Sequence, residues 1–163
     1  MHIGQLVPGT EIPYINHLAN VAMEAMSAIA LSHNIKQPDL LVQCALLHDT
    51  IEDTACSYED IKLTFGTDIA DGVAALSKNK ALATKEEQMQ DSLQRIQQQA
   101  IEISMVKLCD RITNLQPPPS YWKQEKIAQY QKEAILILNT LAYASTSLTQ
   151  RLQVKINHYK QYL

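Results

Sequence analysis

The sequence predicts an all-α fold in a single domain. At 163 residues the chain has the length of one domain. It contains only four glycines and one phenylalanine, and the period-two alternation that is typical of half-buried strands is scarce. Apolar residues instead recur at three- and four-residue spacing, as they do on helices that bury one face. We therefore expect residues 1–163 to form one helical domain.

The first third of the chain predicts a loop followed by two helices. Prolines and glycines punctuate residues 1–15, so this segment is expected to be a loop. Asn16 has the residue type of an N-cap, and the apolar face that follows predicts a helix over residues 16–31. Pro38 favours the first turn of the next helix, which is expected to continue without a break over residues 40–52.

Capping residues define the helices of the middle third. Ser57 is expected to cap a short helix that ends at Gly66. Another helix is predicted over residues 68–76, and a loop follows at residues 78–80. Thr84 begins a capping-box sequence, Thr-Lys-Glu-Glu, that predicts a helix to residue 97.

The last third is predicted to be helical on both sides of a proline-rich connector. Helices are expected over residues 100–115, 124–142 and 147–161. Pro117–Pro119 must end the first of these, since proline lacks the backbone N–H that a helix interior needs. The predicted domain thus comprises an N-terminal loop (1–15), central helices (16–115) and C-terminal helices (116–163).

Composition limits the partners and the compartment. The net charge is −3 and the pI is near 5.9, whereas nonspecific nucleic-acid binding needs a basic face. Three isolated cysteines without CxxC spacing fit a reducing compartment better than a disulfide framework. We see neither a signal-peptide pattern nor an apolar run of roughly 18 residues. We expect a cytoplasmic protein that binds neither nucleic acid nor membranes, and a homo-oligomer is an open option.

Acids and imidazoles interrupt the apolar helix faces at three distant places. They are His17, the pair His48-Asp49, and Asp110 inside the apolar segment 105–115. A carboxylate beside an apolar core is costly unless it is paired or bound to a metal. Two imidazoles and two carboxylates that meet in space would hold one divalent cation. These residues therefore favour a metal-dependent hydrolase whose metal site lies between the central helices.

Each of these residues also has an ordinary structural interpretation. A histidine in a first helical turn is more often a packing residue than a ligand, and His48-Asp49 could end its helix as a solvated acidic turn. Asp110 could pair locally with Lys107 or Arg111. The single patterns are unspecific, and only their combination points to one site.

That combination resembles the HD-domain phosphohydrolases, in which a histidine, a His-Asp pair and a distant aspartate hold one divalent metal. The sequence is further similar to the hydrolase domain of the RelA/SpoT alarmone enzymes, and most to its free-standing form, the small alarmone hydrolases. The segments that carry this similarity are Pro13–His17, Ala45–Thr54, Phe65-Gly66 and Val106–Leu115. The most specific part is the pair Glu52-Asp53, which directly follows the His-Asp helix turn.

The resemblance implies a mechanism. One divalent ion, manganese in these relatives, would be held by His17, His48, Asp49 and Asp110. These donor types also suit Fe²⁺ or Zn²⁺. Glu52 and Asp53 would orient and deprotonate the attacking water. The family reaction removes pyrophosphate from the ribose 3′ position of guanosine tetra- or pentaphosphate.

The resemblance also implies substrate contacts. Asn114 would contact the sugar or a phosphate of the substrate. The weaker candidates for such contacts are Lys107, Tyr14, Lys78 and Lys80. The two loop lysines among them could equally lie in a solvated turn.

Departures from the family pattern leave the substrate open. The alarmone hydrolases usually carry a basic pair before the Pro-Tyr sequence, where an arginine packs on guanine, but residues 5–9 contain no arginine or lysine. Residues 2–5 look like the end of a first helix whose body is dispensable, supplied by a partner, or lost through a different start site. Pro117–Pro119, Tyr121 and Trp122 are expected to form a rigid connector with both rings packed on the C-terminal helices, rather than a substrate lid.

Other functions stay possible on these residues. The enzyme could hydrolyse another nucleotide phosphate, including a nicotinamide dinucleotide 2′-phosphate. The chain could also be a nucleotide-binding regulatory module without turnover, although such a module has no need of Glu52 and Asp53. A helical interaction protein without metal fits least well.

Overall fold

The fold consists of packed α-helices, which a computed structural model describes over residues 2–32 and 35–163. Within these residues no β-strand occurs, and no helix combines the length and apolar composition needed to cross a membrane. The helices are α1 (Ile15–Leu31), α2 (Pro38–Leu47), α3 (Thr50–Asp53), α4 (Tyr58–Phe65), α5 (Thr67–Leu76), α6 (Lys85–Gln97), α7 (Ile101–Asn114), α8 (Gln124–Leu141) and α9 (Thr146–Tyr159). Short 3₁₀ turns follow α8 at Ala142–Ala144 and α9 at Lys160–Tyr162. The predicted all-α fold class is confirmed.

Helix α7 is the centre of the fold, because every residue from Glu102 to Ile112 is buried. It packs against α1, α2, α8 and α9. Each large apolar side chain that it buries contributes about 1.5–3 kcal/mol relative to the exposed state. The same helix also buries Lys107, Asp110 and Arg111, and charges in such surroundings need partners. The partners of Asp110 define the site described below.

Helix α1 brings a histidine to this centre. It begins at Ile15 with Tyr14 as the N-cap residue. The prediction that Asn16 is the N-cap is therefore wrong. Asn16 lies within the first turn, where its Nδ2 donates to the carbonyl oxygen of Pro13 at 3.1 Å. His17 follows in the same turn and is buried.

The helix predicted over residues 40–52 is interrupted, so that expectation is wrong. Helix α2 ends at Leu47, and α3 begins only after a turn at His48 and Asp49. Asp49 has φ −98° and ψ 2°, outside the α-helical region. The turn lets His48 reach α7, while Glu52 in α3 reaches the loop after α5.

The capping residues predicted for the middle third are confirmed. The side chains of Ser57 and Thr84 each accept from a backbone N–H of the first turn, and Asp60 and Glu87 accept in return from the N–H of the cap residue. Gly66 ends α4 with φ 93°, a conformation that strains residues with a Cβ. Local sequence therefore sets these helix boundaries.

The N-terminal segment is a loop, as predicted, but its first residues are not the end of a helix. Gln5 N–H donates to the carbonyl oxygen of His2 at 3.3 Å in a turn, and Gly4 has φ 78°. Further along the loop Gly9 also has φ 78°, and a Cβ there would lie 2.8 Å from Cβ of Pro119. The loop is thus packed directly on the proline-rich connector.

Candidate metal and substrate site

Two imidazoles and one carboxylate converge where α1, α2 and α7 meet. Nε2 of His17 lies 3.4 Å from Nε2 of His48 and 3.4 Å from Oδ1 of Asp110. Nε2 of His48 lies 3.5 Å from the same oxygen. All three side chains are buried, and their ligand atoms all lie within 4.8 Å of one another. No other such group of His, Cys, Asp or Glu occurs in the described part of the chain.

The dimensions of this triangle fit one divalent cation. Ligand atoms about 2.1 Å from a metal and separated by a tetrahedral angle lie roughly 3.4 Å apart. The observed separations of 3.4, 3.4 and 3.5 Å match that value. Imidazole and carboxylate donors suit Mn²⁺, Fe²⁺ and Zn²⁺. His17, His48 and Asp110 are therefore able to hold a divalent ion.

Asp49, the fourth predicted ligand, lies beside this triangle. Its Oδ2 is 2.9 Å from Nε2 of His48 and 3.7 Å from Nε2 of His17. The hydroxyl of Tyr14 donates to the same oxygen. Tyr14, which the sequence suggested as a substrate contact, is thus bonded to a predicted ligand.

A backbone hydrogen bond sets the orientation of His48. Its Nδ1 is 2.9 Å from the carbonyl oxygen of Ala45. Because a carbonyl oxygen can only accept, Nδ1 carries the proton. Nε2 then points into the cluster, where it can hold a proton or, once that proton leaves, bind a metal through its lone pair.

Asp110 accepts hydrogen bonds from its own helix. Nδ2 of Asn114 donates to Oδ1 at 2.5 Å, and Nζ of Lys107 donates to Oδ2 at 3.3 Å. Lys107, Asp110 and Asn114 thus share one face of α7, and the local ion pair of Asp110 with Lys107 that the sequence allowed is present. Arg111 does not share in it, because its Nη2 lies 3.4 Å from Oε2 of Glu133.

The electrostatics of the cluster favour a positive charge at its centre. Burial penalises the ionised form of Asp110, but Lys107 and the two imidazoles hold its pKa well below the usual range. Burial lowers the pKa of His48, yet the carboxylates of Asp49 and Asp110 outweigh this effect and raise it to about 10. A site that stabilises a proton in this way also attracts a metal cation.

The two acids after the His-Asp pair have different surroundings. The carboxylate of Glu52 accepts from the backbone N–H of Lys78 at 3.0 Å and lies 3.5 Å from Nζ of that lysine. Nζ of Lys80 donates to the backbone carbonyl of Glu52 at 2.6 Å. Asp53 is exposed, and desolvation together with Asp49 and Glu52 raises its pKa. Both loop lysines thus contact Glu52, and their predicted contacts to phosphate stay a prediction.

A cavity of about 600 Å³ adjoins the cluster. His17 and Asn114 form part of its wall, so it opens beside the candidate metal site. The remaining walls are provided by the N-terminal loop, further residues of α1, the end of α7, the proline-rich connector, α8 and α9. Within the described residues no lysine, arginine, aspartate or glutamate lines it. The cavity therefore presents neutral polar and apolar side chains beside the imidazole of His17.

Most residues of the cavity wall could not be identified from the sequence. Trp122 packs edge-on against Tyr130, with ring centroids 5.1 Å apart, as the connector prediction implied. Tyr121, however, is 65% exposed, so the prediction that both aromatic rings pack on the C-terminal helices is wrong for this residue. Tyr159 continues the buried face of α9, and by its spacing it is indistinguishable from an ordinary core residue.

Fold and site together define a class of protein: an all-helical chain with a buried His/His/Asp cluster that opens into a ligand-sized cavity. The sequence profile of the HD domain matches residues 1–145. The chain belongs to the HD-domain family, as its motifs predicted.

Relatives within this family narrow the class further. The chain is 30% identical over 146 residues to the guanosine-3′,5′-bis(diphosphate) 3′-pyrophosphohydrolase MESH1 of Drosophila melanogaster. This match covers 87% of this chain and 78% of that protein. It is 33% identical over 135 residues to the guanosine-3′,5′-bis(diphosphate) 3′-pyrophosphohydrolase of Aquifex aeolicus, covering 80% of this chain and 18% of that one. A solved structure, described as a metazoan ortholog of SpoT that hydrolyzes ppGpp and plays a role in starvation responses, superposes with a TM-score of 0.81 at 28% identity and covers 96% of this chain and 88% of that chain. The resemblance to alarmone hydrolases is confirmed.

Proposed function

We propose that this chain is a metal-dependent phosphohydrolase that removes pyrophosphate from the 3′ position of guanosine 3′,5′-bis(diphosphate) or a closely related nucleotide. The observation that carries the proposal is the buried triangle of two imidazole nitrogens and a carboxylate oxygen, with edges of 3.4 to 3.5 Å. Relatives about as long as this chain are named for that reaction. The proposed ligands are His17, His48, Asp49 and Asp110.

A divalent ion at this position, Mn²⁺ by preference, would polarise a phosphoryl oxygen and lower the pKa of a water. The chain prepares the site for it. Tyr14 holds Asp49 by a hydrogen bond, and Ala45 fixes the ring of His48 through its carbonyl oxygen. Lys107 and Asn114 hold Asp110. These bonds keep the ligands oriented before an ion binds.

The acids of α3 share the activation of the attacking water. Glu52 is held at its carboxylate by Lys78, which suits it to orient the water. Asp53 is exposed and has a raised pKa, which suits it to accept the proton. A positioned carboxylate of this kind contributes about 10²–10⁴-fold to a rate.

The substrate contacts predicted from sequence divide into direct and indirect ones. Asn114 lines the cavity and uses only one N–H for Asp110, so its other amide atoms are available to the ribose or a phosphate. Tyr14 and Lys107 act on the substrate through Asp49 and Asp110, to which they are bonded. The ammonium groups of Lys78 and Lys80 both contact Glu52, and a phosphate would share them with that residue.

Another nucleotide phosphate is the second candidate substrate. The cavity has no cationic side chain among the described residues, and the loop at residues 5–9 supplies none. A nucleobase that packs on a cationic side chain in other alarmone hydrolases would therefore contact uncharged side chains in this protein. A nicotinamide dinucleotide 2′-phosphate belongs in the same assay for this reason.

The proposal is tested by removing the charges of the water-activating pair. Glu52→Gln with Asp53→Asn is expected to lower pyrophosphate release from guanosine 3′,5′-bis(diphosphate) by at least about 100-fold in Mn²⁺-loaded protein. Its Kd for Mn²⁺ should stay within about three-fold, because neither residue is a proposed ligand. The matched control is Glu59→Gln with Asp68→Asn, which removes two exposed acids of other helices.

Two results would contradict the proposal. Loss of Mn²⁺ binding in the double variant would place one of the acids among the ligands. Failure of the parent protein to hydrolyse any nucleotide 3′- or 2′-phosphate of a panel, although it binds Mn²⁺, would leave a nucleotide-binding regulatory module instead.

We further propose that the enzyme works in the cytoplasm on a free nucleotide. All three cysteines are free thiols, which a reducing compartment favours. The acidic balance of the chain disfavours a nucleic-acid partner.

A further inference from the structure

Arg95 on α6 binds the C-terminal end of the neighbouring helix α5. Its Nη1 donates to the carbonyl oxygen of Ala74, and its Nη2 donates to that of Ser77 at 2.7 Å. Helix α5 ends at Leu76, and the last carbonyl oxygens of a helix have no partner within the helix. A cation at this end also offsets the partial negative charge of the helix dipole. Arg95 therefore fixes the point at which the chain leaves α5.

The guanidinium of Arg95 is itself held by an acid of the same helix. Its Nε donates to Oδ2 of Asp91 at 2.9 Å, and its Nη2 lies 2.8 Å from the same oxygen. Residues four positions apart share one face of a helix, so this pair forms within α6. A guanidinium carries its donors in a fixed, planar arrangement, which lets one side chain bridge Asp91 and two backbone carbonyls. A lysine ammonium is a compact point charge and cannot span the same three acceptors.

One peptide group connects Arg95 to Glu52. The carbonyl oxygen of Ser77 and the N–H of Lys78 belong to the same peptide bond, which is trans. Its oxygen accepts from Arg95, and its N–H donates to Oε2 of Glu52 at 3.0 Å. Because a trans peptide is planar, its C=O and N–H point in opposite directions. Arg95 and Glu52 therefore bind this peptide from opposite sides.

The hydrogen bond from Arg95 strengthens the backbone donor that contacts Glu52. Hydrogen bonds in a chain polarise one another, so a cation bound at the carbonyl oxygen makes the N–H of the same peptide a better donor. The acceptor is a carboxylate, and hydrogen bonds to charged groups are shorter and stronger than neutral ones. The orientation of the Glu52 carboxylate thus depends on a side chain of α6.

We propose that Arg95 is a positioning residue for the hydrolysis, which acts through the Ser77–Lys78 peptide and keeps the carboxylate of Glu52 directed at the attacking water. This inference rests on the proposed function, in which Glu52 orients that water. Among the described residues, the polar partners of Arg95 are Asp91 and the two carbonyl oxygens of α5 and its end. Arg95 does not line the cavity beside the candidate metal site. Its removal is therefore expected to slow the reaction without changing the binding of metal or nucleotide.

The test is a double-mutant cycle of Arg95 and Glu52. Pyrophosphate release from guanosine 3′,5′-bis(diphosphate) is measured on Mn²⁺-loaded protein, with single-turnover rates for the slow variants. Arg95→Met removes the guanidinium and is expected to lower kcat by about 10–100-fold, as misplacement of a reacting group does. KM for the nucleotide and Kd for Mn²⁺ should each stay within about three-fold, because Arg95 contacts neither ligand. In Glu52→Ala, which lacks the carboxylate, Arg95→Met should lower the rate by less than about two-fold more.

Arg151→Met is the matched control, because Nε of Arg151 likewise donates to an acid, Oε2 of Glu24 at 2.8 Å, in an ion pair away from α5 and α6. It should leave kcat unchanged. Arg95→Lys keeps the positive charge and one carbonyl contact, so its kcat should lie between those of the parent and Arg95→Met. The same cycle is run with Arg95→Lys if Arg95→Met does not fold, and the stoichiometry of Mn²⁺ binding gives the folded fraction of each variant. If the Arg95 substitution lowers the rate by the same factor with and without the Glu52 carboxylate, Arg95 supports only the fold and the inference is overturned.

Hydrogen exchange of the Lys78 amide separates this inference from the proposed function, because it needs no turnover. In ¹⁵N-labelled Arg95→Met this N–H is expected to exchange at least about ten-fold faster than in the parent. The N–H of Asp60, which donates to Oγ of Ser57 in α4, should exchange at the parent rate. If the parent hydrolyses the nucleotide but neither kcat nor the exchange of Lys78 responds to Arg95→Met, the function stands and the inference is overturned. If the parent hydrolyses no nucleotide phosphate, the proposed function fails and the catalytic role of Arg95 is overturned with it.

Discussion

Removal of the Tyr14 hydroxyl is expected to weaken metal binding while leaving the fold intact. The hydroxyl donates to Oδ2 of Asp49, the oxygen that lies 2.9 Å from Nε2 of His48. Burial and the charge of Asp49 raise the pKa of Tyr14, so the phenol stays protonated and continues to donate at neutral pH. A hydrogen bond to a charged acceptor contributes about 1.5–3 kcal/mol. Loss of a group that orients a metal ligand commonly lowers affinity by about 10–100-fold.

Tyr14→Phe is therefore expected to raise the Kd for Mn²⁺ by about 10–100-fold. Equilibrium titration, with free Mn²⁺ followed by electron paramagnetic resonance, measures this directly. Melting in excess Mn²⁺ provides a second readout, because a ten-fold weaker ion stabilises the native state by about 1.4 kcal/mol less. For a chain of this size that difference corresponds to roughly 2–6 °C in Tm.

Tyr58→Phe is the matched control, because the Tyr58 hydroxyl also donates to a carboxylate, Oδ1 of Asp71 at 2.7 Å, but outside the cluster. It should leave the Kd for Mn²⁺ unchanged. An unchanged Kd in Tyr14→Phe, combined with a raised KM for the nucleotide at saturating metal, would refute the reasoning. That outcome would make Tyr14 a direct substrate contact, as the sequence first suggested.

The remaining predictions concern Asp53, the proposed general base, and the packing of α5. The charge of Lys80 lowers the pKa of Asp53. Lys80→Met should therefore raise the pKa of Asp53 and move the acidic limb of the pH–kcat/KM profile to higher pH. An acidic limb that moves to lower pH or stays in place would argue against Asp53 as the general base. A Cβ on Gly72 would lie 2.5 Å from Cδ1 of Ile103, so Gly72→Ala should destabilise the fold by about 1–3 kcal/mol in a thermal or denaturant melt. Ile103→Val removes that Cδ1, and the double variant should therefore recover part of the loss, whereas strictly additive effects would contradict the steric explanation.

Local sequence determined the fold class and several of its boundaries. The side chains of Ser57 and Thr84 cap their helices by hydrogen bonds to the residue three positions further on. Hydrogen bonds of such short range can be predicted from the sequence without a structure. The residue types of the candidate metal site could be predicted from the sequence for a similar reason. Acids and imidazoles on apolar helices such as α7 need a partner wherever the helices pack. Asp110 could therefore be predicted as a candidate ligand from the sequence alone.

Tertiary structure decided how those residues meet. The turn at His48-Asp49 contains no glycine or proline, so helical periodicity alone predicted an unbroken helix there. The bond from Tyr14 to Asp49 spans 35 residues, and the contact of Lys78 with Glu52 spans 26. The cavity joins the N-terminal loop to α9 across most of the chain. Periodicity indicates which face of a helix is buried, but the distances between side chains of different helices are set only when the helices pack. Those distances decide which side chains share a metal ion and which line a cavity.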